Sequence, residues 1–173
     1  MSPDLDHWLP NPSLRVAHAR ETDANADALW AAARSVRVRD AGVLGRLVRW
    51  RIPGTDGAAT FDTLFRNAPF LVLEDSSVAV VSGLVGRIWT LRRDYPMLSD
   101  PEEFRRWSKA GTARVLFAHW VDDGRLLSEV RVEAFGTRGR AGLATVRPLV
   151  RAFHPLIFSD GLAAAVRRAE EAG

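Results

Sequence analysis

His119 is the residue whose type and setting come nearest to chemistry in this chain. It stands in an alternating run, Ala113 to Val121, that Asp122-Asp123-Gly124 joins to a second run, Arg125 to Phe135. Asp-Gly between such runs is a strong hairpin signal, because both residues tolerate positive φ. With Asp123-Gly124 as a two-residue turn, Val121 faces Leu126, His119 faces Ser128, Phe117 faces Val130 and Val115 faces Val132. That face is apolar except for His119 and Ser128. An imidazole there could orient a ligand carbonyl or act as a base near neutral pH. The plainer alternative is a core histidine bonded to Ser128 or to backbone. No third group is placed by spacing, so no triad is read.

The opposite face of the hairpin pairs Arg114 with Glu133 and sets Leu116 by Arg131, which reads as an outer surface. A bulged turn would slip the register by one residue and bring Glu129 and Arg131 beside Phe117 and His119. The two-residue turn is the expected one, because it separates apolar from charged side chains. Arg87 and Trp89 lie two apart on a run read as a strand and so share a face. Facing inward, Arg87 could hold a carboxylate and Trp89 could wall a cavity, with Glu129 as the partner of a buried Arg87. Facing outward, Arg87 is a surface charge and Trp89 packs under a loop. His154, before Pro155, could line a pocket mouth or serve a helix kink. Tyr95, Pro96, Met97 and Leu98 sit in a loop that is either a lid or a segment pinned to the sheet.

Composition removes several classes of function. There is no cysteine among 173 residues, which excludes disulfides, thiol chemistry and thiolate metal sites. His7 and His18 have no carboxylate or histidine at ligand spacing, so no metal is expected. No Gly-rich phosphate loop is present, and no cofactor is expected. The net charge of +3 is small. Arg34, Arg37, Arg39, Arg46, Arg49 and Arg51 form one basic segment, read either as a solvated helix face or as a peripheral contact with an anionic membrane. Nothing resembles a zinc finger or an RNA-binding aromatic motif, so nucleic acid is not an expected partner. No apolar run reaches the roughly 18 residues of a spanning helix. The first residues lack the layout of a secretory signal, and a cytoplasmic location is expected. Oligomeric state is not legible.

These candidates need a scaffold. Residues 1–13, rich in Pro and Asp, read as an extended arm, and residues 14–173 as one domain. Leu14 to Arg20 is a short edge strand with Leu14, Val16 and His18 on one face. Asp23 or Asn25 caps a helix running to about Arg34, with Ala28, Leu29, Ala32 and Ala33 inward and Trp30 at the margin. Ala41 to Arg51 is helical and ends at Pro53-Gly54. Phe70 to Leu73 and Val78 to Trp89 are strands. Asp100, Pro101 and Glu103 open a short helix that Gly111 closes. From Ala141 the chain is helix-forming, kinked near Pro148 and Pro155 and regular from Leu156 to Glu171. Leu156, Ile157, Leu162, Ala165, Val166 and Ala169 are spaced to face the sheet.

The segments ADALWAAARSVRVRD, GLVGRIW, SEVRVEAF and RPLVRAFHPLIFSDGLAAAVRRAEE, in that order, resemble the START-like superfamily (polyketide cyclase/dehydrase and lipid transport, also called SRPBCC). The likeness spans about residues 14–171. Trp30 falls in the usual aromatic place of the opening helix. A bacterial branch of the superfamily carries Thr-Glu-Thr-Arg-Val where this chain has Ser128-Glu129-Val130-Arg131-Val132, so Glu129 and Arg131 match and both threonines are replaced. The resemblance implies an α+β helix-grip fold, a curved antiparallel sheet wrapped around a long C-terminal helix with a cavity between them. It implies an apolar small molecule or lipid as partner, fatty-acid-like ligands included, with Arg87, Trp89, Val115, Phe117, His119, Ser128, Glu129, Val130, Val132 and Phe158 as candidate lining. Three readings stay open: a non-catalytic binder or carrier, a cyclase- or dehydratase-type enzyme using His119 with Arg87 or Glu129, and a module that docks on a protein or membrane.

Overall fold

A computed structural model of the chain describes residues 2–40, 56, 58–90, 92, 95–148, 163, 166, 167 and 170. The fold is α+β. Its elements are helix α1 (Leu5–Trp8), strand β1 (Leu14–Glu21), α2 (Ala26–Ser35), α3 (Phe61–Arg66), β2 (Leu71–Asp75), β3 (Ala79–Gly86), α4 (Pro101–Arg106), β4 (Ala113–Asp122) and β5 (Arg125–Ala134). A further helix, α5, spans 136–148. The strands form one five-stranded antiparallel sheet in the order β1-β5-β4-β3-β2. β4 is therefore central, and β1 is an edge strand as expected.

The β4–β5 hairpin adopts the two-residue turn. Asp123 and Gly124 have φ of 48° and 67°, the positive values that match the right-handed twist of the strands they join. The register follows: Arg114 pairs with Glu133, Val115 with Val132, Phe117 with Val130, His119 with Ser128 and Val121 with Leu126. β1 extends the same rows, setting Leu14 by Val132, Val16 by Val130 and His18 by Ser128.

Both faces of the sheet are covered. Over the Phe117 face lie α2, α3 and α5. Leu64 and Phe65 of α3 and Leu143 of α5 share one core with Leu14, Val16, Leu84, Val115, Val130 and Val132. Leu29, Trp30 and Ala32 of α2 share another with Val80, Val121 and Leu126. Val166 belongs to that second core, and 163, 166, 167 and 170 are helical, so the C-terminal segment returns to the sheet where helical spacing placed it. Leu156, Ile157, Phe158, Leu162, Ala165 and Ala169, like the helix expected over 41–51, lie outside the described residues.

The opposite face is not the solvent surface expected of it. Leu116 and Ala118 are fully buried there, with Val81 and Val85 of β3, Phe104 of α4, and Leu5 and Leu9 around α1. The arm is thus not extended: Asp4 caps a single turn by accepting from the His7 N–H, and that turn folds Leu5 onto the sheet. The signal for this second core is the unbroken apolar run of β3. A strand with one wet face would alternate, whereas every residue of β3 is buried.

Local chemistry accounts for the helices. Asn25 caps α2 by accepting from the Asp27 N–H. Its apolar residues wind further than expected: Trp30 is buried and Ala28 is exposed, because the bulky ring takes the inward position. Thr60 caps α3, accepting from the Thr63 N–H. This helix is not anticipated by periodicity, since one and a half turns carry too few apolar repeats. Asp100 caps α4 by accepting from the Glu102 N–H, while Glu103 reaches back to the Ser99 N–H.

Gly83 permits the closest approach of α4 to the sheet. A Cβ there would lie 2.6 Å from the Phe104 ring, which is fully buried. Gly83→Ala should therefore destabilise by about 1–3 kcal/mol through overpacking. Equilibrium urea unfolding checks this, with an unchanged midpoint contradicting the packing described.

Candidate functional site

On the Phe117 face, alternation lines up three polar side chains in one row across neighbouring strands: His18 of β1, Ser128 of β5 and His119 of β4, ending at Val80 of β3. The rows on either side are apolar or nearly so. Val16, Val130, Phe117 and Ser82 form one, and Ser82 is satisfied by donating to the Phe65 carbonyl oxygen at 2.8 Å. Leu126 and Val121 flank the row on its other side.

This row has unmet hydrogen-bonding capacity. Ser128 is 2% exposed, and neither its Oγ nor the His119 Nε2 has a partner among the described residues. Such groups are rare in native interiors, since each leaves a desolvation cost uncompensated. Phe117 and His119 stay partly exposed although they sit on the central strand, while Val115 and Val121 beyond them are closed, each 4% exposed. The Phe65 ring packs on both, its centroid 5.3 Å from Phe117 and 5.0 Å from His119. Phe70 meets Phe117 edge to face at 5.5 Å. The cluster of three phenylalanines beside Ser128 and His119 is the candidate site.

Its electrostatics favour a neutral imidazole. Burial pushes the His119 pKa down from 6.5 to about 4. Strands β1, β5 and β4 bring no carboxylate to this face to restore the charge. A group of such low basicity holds little of its proton at neutral pH. It serves as a hydrogen-bonding group rather than as a general acid.

The remaining expected residues do not converge on this row. Val115, Val130 and Val132 lie on the same face but are closed into its core. β3 ends at Gly86, so Arg87 and Trp89 are not strand neighbours. They form a turn closed by the Thr90 N–H to the Arg87 oxygen, 3.1 Å. Gly86, with φ of 142°, breaks the strand where a side chain would be strained. Arg87 is exposed, and Trp89 lies on Gly142 of α5, where a Cβ would fall 2.2 Å from its ring. From Val80, opposite His119, to Arg87 is seven residues, roughly 20 Å at the rise of a strand. A small ligand head cannot touch both. Of the loop at 95–98, Tyr95 packs on the Phe117-side core and Leu98 on the opposite one, while Met97 is 70% exposed. His154 and Phe158 lie outside the described residues.

Glu129 is on the other face, and what it does there is structural. Its carboxylate is 4% exposed and accepts from Arg15 Nε at 2.8 Å, Arg15 Nη2 at 2.9 Å and Arg131 Nε at 2.6 Å. Arg131 also donates to the Leu9 carbonyl at 2.9 Å and to Asp6, whose carboxyl it holds below the usual range. The buried pair thereby ties the N-terminal turn to β5. Arg114 does the same for α4, donating to Glu133 and to the carbonyls of Phe104 and Arg105 at the end of that helix. Sequence placed Glu129 and Arg131 away from Phe117. It did not reveal that a helix covers them.

No family model and no curated protein matches the chain. Among solved structures it is similar to TTHA0849 from Thermus thermophilus, at 11% identity and a TM-score of 0.36, over 92% of this chain and 99% of that one. A likeness of that strength carries no conclusion. Among the described residues no three His, Asp or Glu side chains gather as a metal centre requires, and no helix is long and apolar enough to cross a membrane.

Two measurements follow from the two faces. The unfolded chain takes up a proton on His119 near pH 6.5 and the folded chain only near pH 4, so stability should fall as pH drops through that window. The loss should approach roughly 3 kcal/mol at its lower end. Urea unfolding of wild type and His119→Gln across pH 7 to 4 isolates it, and parallel curves would contradict a buried neutral imidazole. On the other face, Glu129→Ala leaves Arg131 buried without its nearest carboxylate and should cost about 3 kcal/mol. Asp6→Ala, at an exposed carboxylate, should cost far less.

Proposed function

We propose that this chain is a helix-grip domain of the START-like kind that binds an apolar small molecule or lipid between the Phe117 face and the helices over it. The observation that carries this is the pair of unpartnered polar atoms, Ser128 Oγ and His119 Nε2, beside partly exposed Phe117 and His119 on the central strand. Central-strand side chains in a filled core are closed, and partial exposure there beside a few unpartnered polar atoms has the character of a ligand site. The aromatic wall of Phe65, Phe70 and Phe117 suits an apolar body. The order of the sheet and the return of the C-terminal segment at Val166 agree with a grip arrangement.

Carriage accounts for the site better than cyclase or dehydratase chemistry does. Such chemistry needs a base matched to neutral pH and a second group to take or give the proton. His119 is too weak a base, Arg87 is roughly 20 Å away along the strand, and Glu129 is on the other face.

Diphenylhexatriene, a hydrocarbon without a head group, tests the proposal. Wild-type protein should enhance its fluorescence saturably at one site. Phe117→Trp should weaken that uptake at least tenfold by filling space, with a thermal midpoint close to wild type. Loss of about 1–3 kcal/mol in stability, together with no uptake by wild type, is the signature of a packed core and would refute the proposal.

A further inference from the structure

We propose that Ser128 and His119 anchor the ligand by its head, and that the head is a neutral oxygen, a hydroxyl or a carbonyl, rather than an ionised carboxylate. This rests on the binding reading above and adds what that reading leaves open, the chemical class of the ligand's polar end. The two groups are cross-strand partners on adjacent strands of the same face, so one ligand atom can reach both. Ser128 Oγ both donates and accepts, and the His119 Nε2 does one or the other according to its tautomer. A hydroxyl matches every combination, and a carbonyl oxygen matches two donors. Either would satisfy atoms that have no partner among the described residues.

A carboxylate fits poorly because the described residues leave its charge without a counter-ion. Among the described residues, the cations near this row are engaged or exposed. Arg66 of α3 is bound to Asp62 and Asp75. Arg20, next on this face of β1 beyond His18, is exposed, as is Arg87 at the far end of the sheet. His18, the third member of the row, is an imidazole rather than a permanent cation. Arg15, Arg114 and Arg131 are on the opposite face, each tied to a carboxylate. An ionised head entering this row would lose its water without a fixed positive partner.

Competition against bound diphenylhexatriene at pH 7.5 tests the inference with one chain length and three heads: 1-dodecanol, 2-dodecanone and dodecanoate. The alcohol and the ketone should displace the reporter at least tenfold more effectively than the carboxylate. Ser128→Ala and His119→Leu should each reduce the advantage of the alcohol over the carboxylate fivefold or more, each displacement being read against that variant's own affinity for the reporter. Equal or better displacement by dodecanoate overturns the neutral-head assignment while leaving the binding site standing. An alcohol advantage that survives both substitutions removes Ser128 and His119 from the role. Absence of reporter uptake by wild type overturns the binding reading and this inference with it. The wild-type comparison needs no variant, so a variant that fails to fold does not block the outcome.

Discussion

Asp123 and Gly124 both hold positive φ, and the two-residue turn they make decides which side chains of β4 and β5 share a face. A slip of one residue would exchange every partner, placing Glu129 and Arg131 beside Phe117 and His119. In the observed register, carboxylates and guanidiniums collect on one side, where they find one another and the backbone carbonyls of α4 and Leu9. The other side keeps His119 and Ser128 as its polar minority. The same turn thus separates a face held by ion pairs from a face whose polar minority is Ser128 and His119.

The Leu116 face pairs its buried ion pairs closely, although Trp120 Nε1 and Arg125 Nε there, like Ser128 Oγ and His119 Nε2 on the other face, have no partner among the described residues. On the Leu116 face every buried charge described above is paired: Glu129 with Arg15 and Arg131, Arg114 with Glu133. Within an interior that pairs its three buried charged residues, Arg114, Glu129 and Arg131, the described residues supply no partner for the serine and imidazole on the other side. Their capacity is better explained by something that arrives.

The hairpin could be read from sequence because its signals are local and agree. The turn residues, the alternation and the charge separation all select one pairing, and the structure has it. The edge strand at Leu14 and the caps at Asn25 and Asp100 were legible for the same reason. What was hidden depended on contacts between distant segments. The turn at Leu5–Trp8 is too short to show a period, and its burial depends on a sheet more than a hundred residues away in sequence. The end of β3 at Gly86 overturned the pairing of Arg87 with Trp89, because a glycine inside an apolar run does not announce where the strand stops. Face assignments told which side Glu129 takes, but alternation cannot say whether a face meets solvent or another layer. The row of His18, Ser128 and His119 could have been found by carrying the β4–β5 register onto β1, since the face of His18 was already assigned.

Xenon in a pressurised crystal reads the central claim most directly, because xenon enters apolar voids without needing a head group or a particular shape. The account predicts an ordered xenon atom against Phe117 and Phe65, above the His119 row, and its loss in Phe117→Trp. Continuous side-chain density across that position with no xenon bound would mean the face is packed shut, and the ligand-binding account would fail.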